Sequence, residues 1–187
     1  MKNILLILLT LLVVSCSPEE KKLAIDSSDD RTWEVWENCS QKIGEHPCNF
    51  ELLNHTGEKV ELYDYYGKII IIDLSTMWCG VCNTIATKGD ELALRYGSEN
   101  LVWLTILIED YYGESPDQSM LSDWQSRFNI QSQVLGGSRD LIDHTAENGY
   151  PVTGWPTLVV IDRDMVLKHG ISGWSENLIT QWIEEML

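Results

Sequence analysis

Two cysteines stand three positions apart in the stretch Thr76-Met77-Trp78-Cys79-Gly80-Val81-Cys82, directly after a run of aliphatic residues. That spacing admits a redox pair, half of a zinc site, or two inert buried thiols. If the run is a strand and the residues after it a helix, Cys79 falls at the helix N-terminus. Unpaired backbone N–H groups and the positive end of the helix dipole favour a thiolate there, below the free thiol pKa of about 8.5. Cys82 follows one turn later, within bonding reach of the first sulfur, so it can resolve a mixed disulfide formed on Cys79. Trp78 can shield the pair and form part of a docking surface.

Zinc needs four ligands, commonly two Cys-x-x-Cys pairs or one pair with spaced histidines. Cys39 and Cys48 are too widely spaced for a second knuckle, and His46, His55, His144 and His169 show no ligand spacing. A turn before a helix is also a poor place to hide two inert thiols. The redox reading is the strongest of the three, and no metal is expected.

The elements that must position the pair are legible in outline. Phe50–Leu53 and Val60–Leu62 flank Asn-His-Thr-Gly-Glu-Lys and predict a hairpin. Ile69–Leu74, apolar but for Asp73, suits a central strand covered on both faces. A helical pattern runs from Cys79 to about Tyr96 and stops at Gly97. Leu101–Ile108 reads as a second buried strand. Ser115 and Pro116 open a helix to about Phe128, followed by a strand around Val134 and a helix near Leu141–Asn148. Thr157–Ile161 and Met165–Lys168 predict a hairpin, and Ser175 caps a last amphipathic helix to Met186. The order predicts an α/β sheet with helices on its faces. Trp33, Trp36, Trp103, Trp124 and Trp182 are expected in or against the core. Gly136–Asp140 reads as a turn, too short and poorly placed for a phosphate loop.

The chain has 187 residues, the size of one domain with a real core. Its ends differ from its middle. A short basic start, Met1-Lys2-Asn3, precedes an apolar run from Ile4 to Val14, too short to span a bilayer comfortably but suited to a signal peptide. The run ends at Val13-Val14-Ser15-Cys16, which resembles the lipobox of bacterial lipoproteins and implies cleavage before Cys16 and its acylation. Residues 1–15 are then a signal peptide, 16–32 a flexible tether, and 33–187 the folded domain. Ser17 fits outer-membrane sorting by analogy. Losing residues 1–15 removes one Lys and no acid, taking the formal charge from −16 to −17. Such acidity argues against nucleic acid, and leaves lipid rather than a basic helix to hold the membrane. Export also exposes Cys39, Cys48, Cys79 and Cys82 to an oxidising compartment. Of three connectivities, proximity favours Cys39–Cys48, a structural staple, and Cys79–Cys82.

Trp-Cys-Gly-Val-Cys after Ile-Ile-Ile-Ile-Asp-Leu-Ser-Thr-Met resembles the thioredoxin active-site segment, with Val81 where thioredoxin has Pro. The resemblance implies that Asp73, six residues before Cys79, is the buried acid that shuttles a proton. It implies equally that Gly154-Trp155-Pro156-Thr157 is the cis-proline loop facing the thiols. Trp78 and Trp155 would line the docking groove, and the turn at Gly173 would supply its other wall. The stretch from Cys48 to Cys82 is similar to the exported TlpA/ResA-type redoxins, which have an N-terminal β-hairpin leading into the central strand. The stretch from Glu109 to Tyr150 matches their helix–strand insertion before the cis-proline. The resemblance covers roughly Cys48 to Leu187. It implies a thioredoxin-like fold, a central mixed β-sheet flanked by helices, and thiol–disulfide exchange with protein substrates. The expected direction is that of a reductase, but Val81 between the cysteines tunes the redox potential, so direction does not carry over from the resemblance. It implies no organic cofactor, so electrons pass to or from another protein, a membrane or periplasmic thiol carrier upstream. Two other readings stand beside it: a thiol peroxidase, because Thr76-Met77-Trp78-Cys79 also supplies Thr-x-x-Cys, and a non-catalytic redoxin-fold module that holds a partner or a metal such as copper.

Overall fold

A computed structural model describes Trp36 and residues 38–187. The segments expected to be a signal peptide and tether, with Cys16 and Trp33, lie outside the described residues. Within them, β1 (Glu51–Leu53) and β2 (Lys59–Glu61) form a separate antiparallel hairpin. Its turn is closed by Asn54, whose Oδ1 accepts the N–H groups of Thr56 at 3.0 Å and Glu58 at 2.9 Å. Next come β3 (Ile69–Thr76), α1 (Gly80–Ile85), α2 (Lys88–Tyr96) and β4 (Leu101–Glu109). They are followed by α3 (Gln118–Phe128), β5 (Gln133–Gly136), β6 (Thr157–Ile161), β7 (Leu167–Ser172) and α4 (Glu176–Met186). The five strands β5-β4-β3-β6-β7 make one mixed sheet, β3, β4 and β5 parallel, β6 and β7 antiparallel to their neighbours.

Strand β3 is buried along its whole length, and its alternation sorts side chains to two faces. Ile70, Ile72 and Leu74 join a core with Phe50, Tyr63, Leu104 and Tyr150. Ile69 and Ile71 pack with Ile85, Leu92, Ile179 and Ile183 of α1, α2 and α4. Asp73 and Ser75 share the parity of Ile69 and so belong to this helix-covered face. The sheet thus presents to the helices an apolar surface interrupted at one end by polar groups.

Both rims of the sheet are held by chain that precedes it. On the β7 side, Gly44 N–H donates to the Leu167 carbonyl at 2.7 Å and Leu167 N–H to that of Glu45 at 2.9 Å. On the β5 side, Asn54 forms a bridge with Leu135, and His55 N–H reaches the Val134 carbonyl at 3.0 Å.

Several expected elements are differently bounded. The helix read from Cys79 to Tyr96 is two helices, α1 and α2, parted at Ala86 and Thr87. Helix α3 is capped by Asp117, whose carboxylate accepts the Met120 N–H at 2.9 Å, rather than by Ser115. The helix expected near Leu141–Asn148 does not form. A single 3-10 turn, Arg139–Leu141, is followed by a loop built on Asp143, whose carboxylate accepts N–H groups of Thr145 and Asn148. A side chain that captures backbone donors in this way competes with the helix for them. The last strand starts at Leu167 rather than Met165, because Met165 takes a left-handed φ of 56° in the turn.

Candidate active site

The disulfide Cys79–Cys82 sits where β3 gives way to α1, its Cα atoms 5.2 Å apart. Cys79 is the N-cap of α1: its Sγ accepts the Cys82 N–H at 3.2 Å, the placement expected to favour a thiolate. Cys79 is 7% exposed and Cys82 1%. The turn ahead of the pair is tied down by Asn83, whose amide donates to the carbonyls of Met77 at 3.1 Å and Cys79 at 2.7 Å.

Trp78 is 49% exposed beside Cys79, and its indole is fixed by a residue the sequence had given no reason to single out. Glu109, buried at the end of β4, accepts the Trp78 Nε1–H on Oε2 at 2.8 Å and forms an ion pair through Oε1 with Arg139. Arg139 lies in the segment read from sequence as a plain turn. The link was invisible because Glu109 ends an apolar run and reads as its boundary.

Asp73, on β3 six residues before Cys79, is fully buried. Burial pushes its carboxyl up to about 7, opposed by hydrogen bonds from Ser75 and Thr105. Parallel pairing sets Asp73 beside Thr105 on β4. A carboxyl pushed up toward neutrality can exchange protons with a neighbouring thiol.

The antiparallel pairing of β6 with β3 brings the remaining predicted residues to the same end of the sheet. Thr157 pairs with Leu74 on one side and Ser172 on the other. Pro156, in a cis peptide with Trp155 as expected, and Gly173 therefore flank the C-terminal end of β3. Gly173 N–H donates to the Pro156 carbonyl at 2.7 Å, with Gly173 at φ 91°, a conformation that favours glycine. Trp155 is half-buried and packs against the core shared by Phe50 and Tyr150, so only part of its ring is free to line a groove.

Cys39 and Cys48 are bonded, S–S 2.04 Å and Cα–Cα 4.8 Å. Their loop joins β7 at Leu167, the opposite end of that strand from Gly173, so they stand apart from the Cys79 pair. Trp103 and Trp124 are buried, and Trp36 and Trp182 partly so, as expected. Among the described residues no group of three or more His, Cys, Asp or Glu is arranged to hold a metal, and no helix is long and apolar enough to cross a membrane.

Residues 43–170 match the AhpC/TSA family model. The chain belongs to the AhpC/TSA family. The thioredoxin-like protein YneN of Bacillus subtilis is 20% identical to it over 142 residues, 73% of this chain and 78% of YneN. The pneumococcal exposed lipoprotein thioredoxin Etrx1 of Streptococcus pneumoniae superposes with a TM-score of 0.59 at 26% identity, over 74% of this chain and 99% of that one. The thioredoxin domain of a thiol-disulfide oxidoreductase from Bacteroides vulgatus gives 0.63 at 12% identity, over 79% and 100%. The mixed sheet flanked by helices is thus the thioredoxin fold, and with the Cys79–Cys82 disulfide it supports oxidoreductase activity.

Proposed function

We propose that this AhpC/TSA-family chain is an exported, lipid-anchored thiol–disulfide oxidoreductase of the TlpA/ResA type, facing the periplasm and reducing disulfides in client proteins. The observation that carries the reading is the disulfide Cys79–Cys82 with Cys79 at the N-cap of α1, beside an exposed tryptophan. Cys79 thiolate attacks a client disulfide, forming a mixed disulfide and releasing one client sulfur as thiolate. Asp73, ionised, takes the proton of Cys82. The Cys82 thiolate attacks Cys79 Sγ, expelling the second client sulfur as a thiolate that is then protonated. Two electrons leave the cysteine pair, which becomes the disulfide Cys79–Cys82, and a thiol carrier protein restores it. Trp78, Trp155, Pro156 and Gly173 hold the client extended against the pair. Cys16 carries the lipid, a reading supported by the resemblance to lipoprotein signals and by the pneumococcal lipoprotein relative.

Reduction of insulin by the full chain with dithiothreitol as electron source tests this: Cys79→Ser should abolish it, and equal turnover in that variant would sink the proposal. A reduction potential near thioredoxin's, about −270 mV, supports the reductase direction, whereas one near that of DsbA, about −120 mV, would reverse it. A second reading, peroxide reduction at Cys79, is favoured by one observation. Thr76 stands three residues before Cys79 with its Oγ1 buried and without a hydrogen-bond partner. Peroxide consumption coupled to the same reductant, lost in Thr76→Val, would establish it.

A further inference from the structure

The carboxyl of Asp73 is the end of a chain of buried hydrogen bonds whose direction is set at its far end. Ser75 Oγ donates to Asp73 Oδ1 at 2.6 Å, within the range of charge-assisted O–H···O bonds. Thr105 Oγ1 donates to Oδ2 at 3.4 Å. Trp103 Nε1 donates in turn to Thr105 Oγ1 at 3.2 Å. All four residues are buried.

An indole N–H can only donate. Thr105 therefore accepts from Trp103, and its own proton is left to point at Asp73. The indole is itself held in place. At Gly89 of α2 the backbone closes on its pyrrole edge so tightly that a Cβ there would lie 2.4 Å from Cδ1 and 2.5 Å from Nε1. Trp174 packs edge-on against the same ring, centroids 6.2 Å apart. Ser75 needs no such partner, since residues two apart on a strand share a face. Both oxygens of Asp73 thus meet donors, an arrangement made for the carboxylate. A protonated Asp73 that donated to either hydroxyl would have to turn it around, and for Thr105 that means giving up the donor role that accepting from Trp103 leaves it.

We propose that Ser75 and Thr105, the latter oriented by Trp103, are positioning residues that hold Asp73 as a proton acceptor and thereby set the lower pH limit of the resolving step at Cys82. The inference rests on the proton role given to Asp73 above. Asp73 pairs with Thr105 of β4 and Leu158 of β6, on the sheet face that α1 covers through Ile85, and α1 also carries the buried Cys82. Cys82 is the titratable group among them once reduced, and no charged side chain among the described residues shifts Asp73. Burial and these hydroxyls act in opposition, so deleting a hydroxyl disfavours the charged form.

The test is the titration midpoint of the Asp73 side-chain carboxyl, followed by carbon-13 NMR on the oxidised full chain, in which Cys82 does not titrate. Asp73→Asn identifies the resonance. Ser75→Ala and Thr105→Val should each raise the midpoint, Ser75→Ala by about one pH unit because its bond is the shorter. Thr105→Ser, which keeps the hydroxyl, should restore the parental value. Trp103→Phe should move it in the same direction as Thr105→Val. Midpoints unchanged in folded Ser75→Ala and Thr105→Val would overturn the proposal, as would a shift in Thr105→Ser equal to that in Thr105→Val. The second readout is the pH dependence of single-turnover release of a disulfide-linked peptide by the reduced chain, whose acid limb should move with the midpoint. If midpoints move as stated but Asp73→Asn leaves that limb in place, the network stands and the proton role of Asp73 is what fails.

Discussion

Replacing Asp73 by Asn should stabilise the oxidised protein, and by an amount that grows with pH. Burial pushes the Asp73 carboxyl from an ordinary 3.8 up to about 7, against the opposing hydroxyls of Ser75 and Thr105. Between those values the folded chain holds a proton that the unfolded chain has released. Stability rises with pH where the unfolded state binds more protons. Here the folded state binds more, so the Asp73 contribution is full below about pH 4 and is lost as the pH climbs through about 7. Three units at about 1.4 kcal/mol each give about 4 kcal/mol. Asn cannot ionise and escapes this loss. Its amide nitrogen will oppose one of the two hydroxyls, but that cost is the same at every pH and leaves the slope alone. Urea unfolding of both proteins from about pH 4 to about pH 9 isolates the term, because every other carboxylate cancels in the difference. The gap should widen across the acid range and level off above neutrality. A gap that stays flat from end to end would refute the reasoning: Asp73 would then ionise in the core as readily as in water.

Three further outcomes follow from particular contacts. Gly89→Ala should destabilise the fold by about 1–3 kcal/mol, because its Cβ would overlap the Trp103 indole, whose surroundings are buried; a shift in the urea midpoint checks it. Replacing Cys39 and Cys48 together by Ser should cost about 2–3 kcal/mol, the chain-entropy value for a loop this short, while leaving insulin reduction by the Cys79 pair intact. Asp117→Ala removes the N-cap of α3 and should lower stability by about 1 kcal/mol, with Asp117→Asn largely restoring it.

What the sequence made legible was whatever depends on neighbours along the chain. The apolar run Ile69–Leu74, the Cys-x-x-Cys after it and the Gly-Trp-Pro-Thr loop are local signals, and the sheet assembled from them is the expected one. Local signals failed where a side chain outbid the backbone. Asp143 captures the donors that a helix over Leu141–Asn148 would have needed, and Asp117 rather than Ser115 caps α3. The partners of the site were hidden for a different reason. Glu109, Arg139, Thr105 and Trp103 reach Trp78 and Asp73 only through the register of β4 on β3 and the return of the inserted segment, neither of which has a spacing to read. Ser75 is the exception. Two residues from a buried acid on the same strand, it carried a period-two signal that pointed to Asp73.

The way the sheet is finished at its rims bears on how such a protein survives its own work. An unpaired strand edge is a template for any other extended chain, and a protein exchanging disulfides with client proteins, as proposed above, would meet partly opened chains. Residues 44 and 45 occupy the backbone of β7 at Leu167, and residues 54 and 55 that of β5 at Val134 and Leu135. A client strand arriving at those positions finds their hydrogen bonds already made. The same short segments that look like packing around the sheet thus leave less of each rim open to such pairing, and cutting them away should raise the protein's tendency to aggregate.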